Sequence, residues 1–428
     1  MDNDFLSSAN ELEKELKWAE AATLYERILE KTPSVDLYER AAWCFSRAGV
    51  YQKAIEYLIV LHEQEPLSAK WLYMIGYQYY CKKEWSLATE WFEKALILYP
   101  DYFVVKYRLA YAYIQTAGVY MKLTKAEYWK AIGHLKDCHN LWETFDDAKK
   151  QRERNTYFDV NFLHGKILMD LPRHYLDAIS LFRKALSIRP NDEFARYNLA
   201  KTFYLSEDYQ NAKANMPSGN QYYIVELTAY IEAKLGNYDK SISIIQKLLL
   251  RRKKDYLYSF LAEVYLLKSD LDKAYKAANE ALLIGKANHK NFYITAKVYY
   301  EYGLFDKAIE NLDCGIKLKR QKYDSGYSDC EDLKQKIIFE KPFNYEDDQG
   351  LIEKLSNQLT PQSMQGIIHK YNTEKGYGFI RQGTKDIFFH ISNCKYNDIA
   401  TGDKILFSTT ATDKGLKAID IIKVTKLK

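Results

Sequence analysis

A small residue recurs along most of this 428-residue chain, at Ala21, Ala54, Ala88, Ala131, Ala178, Ala212, Ser241, Ala274 and Ala308. The intervals are 33, 34, 43, 47, 34, 29, 33 and 34 residues. A near-fixed period of this length is the mark of a repeat array. A unit so short cannot bury its apolar face alone, so successive units must stack on one another. Prolines 33, 66, 100 and 190 stand where a helix after the small residue would have to stop. Glycine and proline are scarce, at 18 and 8, and tyrosine is abundant, at 38. The expectation is helix almost throughout, broken into pairs.

The clearest unit runs from Ala69 to Tyr102. It reads Leu72-x-x-Ile75-Gly76-x-x-Tyr79, then Ala88-x-x-x-Phe92, Ala95 and Pro100. Gly76 and Ala88 are small where two helices would cross, and Tyr79 and Phe92 fill the space beside the crossing. This pattern resembles the tetratricopeptide repeat, a 34-residue helix–turn–helix. The resemblance implies about nine helix pairs over residues 1–322, wound as a right-handed superhelix with the first helices lining its concave side. Two intervals are long, around Gly118 to Lys125 and around Trp142 to Thr156. One is short, where Asn215-Met216-Pro217-Ser218-Gly219 truncates a second helix.

First helices carry aromatics off the packing positions. By the resemblance, Trp43, Tyr73, Tyr77, Tyr107 and Tyr111 would face the groove and meet a protein partner. Tyrosine offers large contact area with a polar tip, which suits recognition. The same rings could instead pack between adjacent helices. The lysine and asparagine pattern that clamps a terminal carboxylate in chaperone adaptors is absent; Asn10, Glu39, Trp43 and Tyr73 open the groove. Residues 323–362 read as capping helices, KQKIIFEK and GLIEKLSNQL, and a linker ending at Thr360-Pro361-Gln362-Ser363.

In residues 363–428 the period changes to two. MQGIIHKY, GYGFIRQ, KDIFFHI, DKILFSTT and KAIDIIKV are short strand-like runs between turn residues. Five such strands in so short a segment suggest a small antiparallel barrel of the OB type. Alternation puts Tyr377 and Phe379 on one face, and likewise Phe388 and His390, while Ile387, Phe389 and Ile391 take the other. The aliphatic set with Phe389 suffices to fill the interior. The four remaining rings then form an exposed stacking platform for unpaired bases. Gly376 and Gly378 are expected to keep that surface open.

Lys375-Gly376-Tyr377-Gly378-Phe379-Ile380 and Asp386-Ile387-Phe388-Phe389-His390 resemble the two ribonucleoprotein motifs of cold-shock domains. Gly366 to Asn372 resembles the family's first strand. The resemblance implies sequence-tolerant binding of single-stranded RNA or DNA through Lys370, Asn372, Lys375, Tyr377, Phe379, Phe388 and His390. It departs at Lys370, where the family carries Trp, and at Ile391, where many members carry Phe. With those stackers missing, modest and salt-sensitive binding is expected.

Charge supports a polyanion partner. The whole excess of +5 falls within Pro361 to Lys428, and the remainder is neutral. The basic run Arg251 to Lys254 reads as a solvated helix end. No phosphate loop, nucleophile elbow or paired carboxylate site occurs, so no catalytic residue, cofactor or small-molecule substrate is assigned. His134-x-x-x-Cys138-His139 has ligand-like spacing, but Cys138 occupies a packing position, so no metal is assigned. Six scattered cysteines without a C-x-x-C pair, and an opening MDNDFLSSANELEK without a leader's apolar segment, lead to an expectation of a cytoplasmic protein. No apolar run reaches the ~20 residues that span a bilayer. A non-enzymatic adaptor joining single-stranded nucleic acid to a protein partner fits best. The alternatives are a pure protein scaffold with a degenerate barrel and a regulatory subunit of a nucleic-acid-processing complex.

Overall fold

The computed structural model describes residues 2–117, 126–285, 288–323, 326–340, 364–394, 399–412 and 415–424. The insertion at Gly118 to Lys125, the second capping helix and the linker to Ser363 lie outside these residues. The chain forms two compact units, Met1–Leu235 and Gly236–Lys428.

The first unit holds α1 (Asp2–Lys14), α2 (Trp18–Leu29), α3 (Val35–Arg47), α4 (Tyr51–Gln64), α5 (Ala69–Cys81), α6 (Trp85–Leu98), α7 (Phe103–Ala117), α8 (Ala126–Thr144), α9 (Asp147–Met169), α10 (Tyr175–Ile188), α11 (Glu193–Leu205), α12 (Tyr209–Ala214) and α13 (Tyr222–Lys234). The second opens with α14 (Tyr238–Arg251), α15 (Asp255–Leu267), α16 (Leu271–Ile284), α17 (His289–Glu301) and α18 (Phe305–Tyr323), followed by α19 (Ser328–Glu340). Among the described residues eighteen helices thus precede α19: six successive pairs and α13 in the first unit, then α14 and two pairs in the second. All nine recurrent small residues have an exposure of 0%. The reason is visible at Gly76. A Cβ there would lie 2.7 Å from Phe92 Cδ1, so only glycine lets α5 approach α6 this closely. Gly165 and Phe182 repeat the arrangement between α9 and α10, at 3.0 Å.

One regularity of the turns was not read from the sequence. Leu16, Gly49, Lys83, Glu207, Gly236, Ser269 and Gly303 all have φ near +60° to +80°. Each lies five residues before a recurrent small residue. A left-handed residue closes the first helix, and the next N–H reaches back to the last turn. Val50 N–H donates to Phe45 O at 2.8 Å, and Glu84 N–H to Tyr79 O at 3.0 Å. Only three of the seven are glycine, so composition alone hides the turn. The truncated second helix is α12, six residues long. The long interval around Trp142 is taken up by longer helices: α8 has 19 residues and α9 has 23.

The second unit ends in a closed barrel of β1 (Met364–Asn372), β2 (Tyr377–Gln382), β3 (Lys385–His390), β4 (Lys404–Thr412) and β5 (Gly415–Lys423), in the order β1-β2-β3-β5-β4. The expectation of an all-antiparallel barrel is corrected at one seam. β3 meets β5 in parallel, with Phe388 opposite Lys417. Closure removes sheet edges that would otherwise remain unpaired. Ile368, Ile380, Ile387, Phe389, Ile405, Phe407, Ala418 and Ile421 fill the interior.

Candidate nucleic-acid interface

The outer face of β2 and β3 is built by strict alternation. Gly378 and Ile380 are buried while Tyr377 and Phe379 are half-exposed, and Ile387 and Phe389 are buried while Phe388 and His390 are half-exposed. Antiparallel register sets Tyr377 opposite His390 and Phe379 opposite Phe388. The Phe388 ring lies 5.9 Å from both Tyr377 and Phe379, tilted 32° to the first and edge-on at 73° to the second. Four rings on two adjacent strands therefore form one continuous patch.

The turn from Asn372 to Gly376 frames it. Asn372 Oδ1 accepts from Lys375 N–H at 2.9 Å, and Gly376 N–H donates to Asn372 O at 2.9 Å. Ile391 N–H donates to Gly376 O at 2.7 Å, tying the turn to the end of β3. Lys370, Asn372 and Lys375 are exposed around the patch. Lys370 follows an irregularity in the β1–β2 register between Ile368 and Lys370. Ser392 N–H donates to His390 Nδ1 at 3.2 Å, so the neutral ring carries its proton on Nε2. That nitrogen sits beside Gly376.

Two sequence expectations change here. Gly378 does not open the binding face. A Cβ there would lie 2.2 Å from Lys370 O and 2.6 Å from Phe389 Cε1, so this glycine lets β1 and Phe389 pack beneath the strand. Gly376, at φ +67°, serves the turn. Ile391 is not a vacant stacking position either, because its side chain packs against the barrel core.

Two residues of this surface were missed. Arg381 continues the Tyr377–Phe379 face by the same two-residue step, which the alternation could have revealed. Its guanidinium pairs with Asp386 across the strands and lies 2.9 Å from His369 Nδ1. The hydrogen bond from the Arg381 guanidinium, with its charge adding, holds the Asp386 carboxyl below the usual carboxylate range. Lys417 borders the patch through the parallel seam, which no local pattern marks.

In the first unit, the groove candidates divide. Tyr73, Tyr77 and Tyr107 pack partly against the core cluster of α5 to α9. Tyr73, Tyr77 and Tyr80 form a ladder along α5 with successive ring centres 6.2 Å apart. Tyr111 joins it, 5.5 Å from Tyr80. The Arg108 guanidinium lies 3.9 Å from the centre of Tyr77, and 5.6 and 5.7 Å from Tyr73 and Tyr80. Its Nη1 is buried without a hydrogen-bond partner among the described residues. Burial raises the hydroxyl pKa of Tyr73, Tyr77, Tyr80 and Tyr107. Trp43 stands apart from the ladder, 47% exposed, with Arg47 5.7 Å from its ring. Tyr73, Tyr77 and Tyr107 are thus partly buried rings packed on the core, as the packing alternative expects. Among the described residues no group of three metal-ligating side chains occurs, and no helix there is long and apolar enough to cross a membrane. Cys138 is buried, with Sγ 3.8 Å from Phe103 O.

Comparison with known proteins matches two separate stretches of the chain. The model of the tetratricopeptide repeat matches residues 6–61, and that of the 'Cold-shock' DNA-binding domain matches residues 364–424. Cold shock-like protein CspB of Escherichia coli is 36% identical over 73 residues, which is 16% of this chain and 96% of that protein. TPR repeat-containing protein MJ1428 of Methanocaldococcus jannaschii is 22% identical over 360 residues, 68% of this chain and 57% of that protein. The chain therefore spans little more than half of that relative. Among solved structures, yeast Tom70 aligns over 83% of this chain and 84% of its own at 15% identity and a TM-score of 0.39, too distant to bear on function.

Proposed function

Because this chain is a tetratricopeptide-repeat protein whose C-terminal domain belongs to the cold-shock family, we propose that it is a non-enzymatic adaptor, its barrel holding single-stranded nucleic acid while its repeats hold a protein partner. The observation that carries this reading is the continuous Tyr377–Phe388–Phe379 patch on the outside of a barrel whose core is complete without it. Bases have π-faces whatever their identity, so such a patch binds unpaired strands with little sequence preference. Lys370 and Lys375 supply phosphate contacts, and Asn372 holds the turn that presents Lys375. RNA is the preferred strand in this reading: with Nδ1 of His390 taken by Ser392 N–H, its Nε2–H is the donor left for a ribose 2′-hydroxyl, which DNA lacks. Cytoplasmic RNA is the natural source of such a ligand.

The test is a titration of labelled single-stranded RNA, single-stranded DNA and duplex of one sequence, at salt from about 50 to about 300 mM. Single strands should bind with a negative salt slope, RNA more tightly than DNA, and duplex weakly. Lys375→Ala should make the slope shallower by about 0.7, the share of one phosphate contact on a single strand. Equal affinity for duplex and single strand would sink the reading.

On the repeats, the Tyr73–Tyr77–Tyr80–Tyr111 ladder with Arg108 is the surface we assign to the protein partner. Aromatic and arginine side chains carry most interface energy. Tyr77→Ala or Arg108→Ala should weaken capture of that partner by about 30-fold, a loss of ~2 kcal/mol. Oligonucleotide affinity should not change. Loss of both activities together would point to misfolding instead.

A further inference from the structure

On the far side of Lys370 lies a cavity of about 460 Å³ between β1, the turn before β4 and helix α19. Ile338, Ile367 and Ile368 form its apolar walls. Lys336, His369, Lys370 and Arg381 bring positive or polar groups to it, and among the described residues that line it there is no carboxylate.

The closeness of α19 to the barrel is specific. Ile337 has an exposure of 0% and belongs to the cluster of α17 and α18, whereas Ile338, one residue on, meets the barrel. Gly402, at φ +94°, receives it: a Cβ there would lie 2.5 Å from Ile338 Cγ2. That turn is itself fixed, since Gly402 N–H donates to Ile368 O at 2.7 Å and Ile368 N–H to Asp403 O at 3.0 Å. Lys336 lies with its ammonium 5.0 Å from the Tyr300 ring, holding α19 to α17.

Two lining residues belong to the interface as well. Arg381 lies two residues along β2 from Phe379 on the same face, a step of about 7 Å. That is also the span of roughly one nucleotide in an extended strand. The volume falls within the range of small-ligand sites, whose walls are apolar with a few placed polar groups. Ile338 and Ile367 are apolar walls, Gln335 and Thr401 are polar side chains beside them, and Lys370 carries the charge a phosphate would meet.

We infer that the cleft between α19 and the barrel takes one nucleotide of the strand stacked on Tyr377, Phe379 and Phe388, so that the repeat-side helix α19 is part of the nucleic-acid site. This rests on the reading of the barrel face given above. It is tested on the full chain with Ile338→Asp, which places a carboxylate in the cleft. Affinity for a 12-nucleotide RNA should fall about tenfold, while affinity for a trinucleotide that spans only the aromatic patch stays within twofold. The retained trinucleotide binding also shows that the barrel is folded. Photocrosslinking of a 5-iodouridine RNA should give adducts on the α19 peptide in the wild type. Two results overturn the inference while leaving the barrel reading intact: unchanged 12-mer affinity in Ile338→Asp, or crosslinks confined to β1, β2 and β3. Saturable binding of AMP, abolished by Ile338→Asp while 12-mer affinity is unchanged, would assign the cleft to a free nucleotide and overturn the strand assignment. Failure of the wild type to bind any single strand overturns the barrel reading itself.

Discussion

Replacing Tyr377 and Phe388 together by alanine is expected to weaken binding of a single-stranded RNA by about 30-fold to 10⁴-fold. Each base stacked on an aromatic ring contributes about 1–3 kcal/mol by alanine substitution, and two are removed. The two are not equivalent. Phe388 touches both Tyr377 and Phe379 at 5.9 Å, so its loss also frees the neighbours from their preferred orientation. Phe388→Ala alone should therefore cost more than Tyr377→Ala alone, and the double variant less than the sum. The barrel should remain folded, because Phe389 and Phe407, the large rings of its core, point the other way and are fully buried. Fluorescence anisotropy measures the affinity, and a circular dichroism melt of each variant checks the fold. A double variant that binds within threefold of the wild type would remove the aromatic patch from the mechanism.

Much of this architecture is written in two periods. The near-34-residue recurrence of small residues anticipates nine helix pairs, and each such residue is buried because two helices cross there. The two-residue alternation along GYGFI and DIFFHI anticipates which rings leave the core. What local pattern could not supply is anything decided by distant pairing. The parallel β3–β5 seam brings Lys417 to Phe388, residues 29 apart, and nothing in either segment marks it. From its own segment Gly378 is expected to keep the aromatic face open; its role depends on Lys370 O, eight residues away on another strand. Arg108 gathers Tyr73, Tyr77 and Tyr80 from a separate helix. The left-handed turns escaped because Leu16, Lys83, Glu207 and Ser269 adopt a backbone that glycine usually signals. The stacking of neighbouring repeats pins these residues at a strain of about 1 kcal/mol each.

The second large effect expected is a steep loss of stability of the first unit in mild acid. His139 on α8 and His164 on α9 are linked, with His139 Nε2 3.1 Å from His164 Nδ1, and His139 Nδ1 3.2 Å from the Tyr157 hydroxyl. His164 is 5% exposed, and its Nε2 has no partner among the described residues. Burial, with Lys184 adding to it, pushes His139 down to about 4; burial, with His139 itself and Lys136 adding, pushes His164 down to about 3. Asp177 opposes the shift at His164, but weakly. Both rings are thus neutral in the folded chain well below the ordinary imidazole value of 6.5. The unfolded chain takes up protons that the folded chain does not, so stability is complete above about pH 6.5 and is lost as pH falls toward about 4. The slope is about 1.4 kcal/mol per pH unit for each imidazole, and about 3 kcal/mol for the pair. Two pH units then consume a large part of the ~5–15 kcal/mol that holds an ordinary domain together. The hydrogen bond between the rings adds a limit of its own, because one nitrogen must donate and the other accept, and two imidazoliums would present donors to each other. Hydrogen exchange of peptides from α8 and α9, followed from pH 7 to pH 4.5 after correction for intrinsic rates, should show protection collapsing there first. His164→Gln removes one of the two titrations, so the urea midpoint of the first transition should fall about half as steeply with pH as in the wild type. Parallel pH profiles for the two proteins would show that carboxylates elsewhere, not this imidazole pair, set the acid limit.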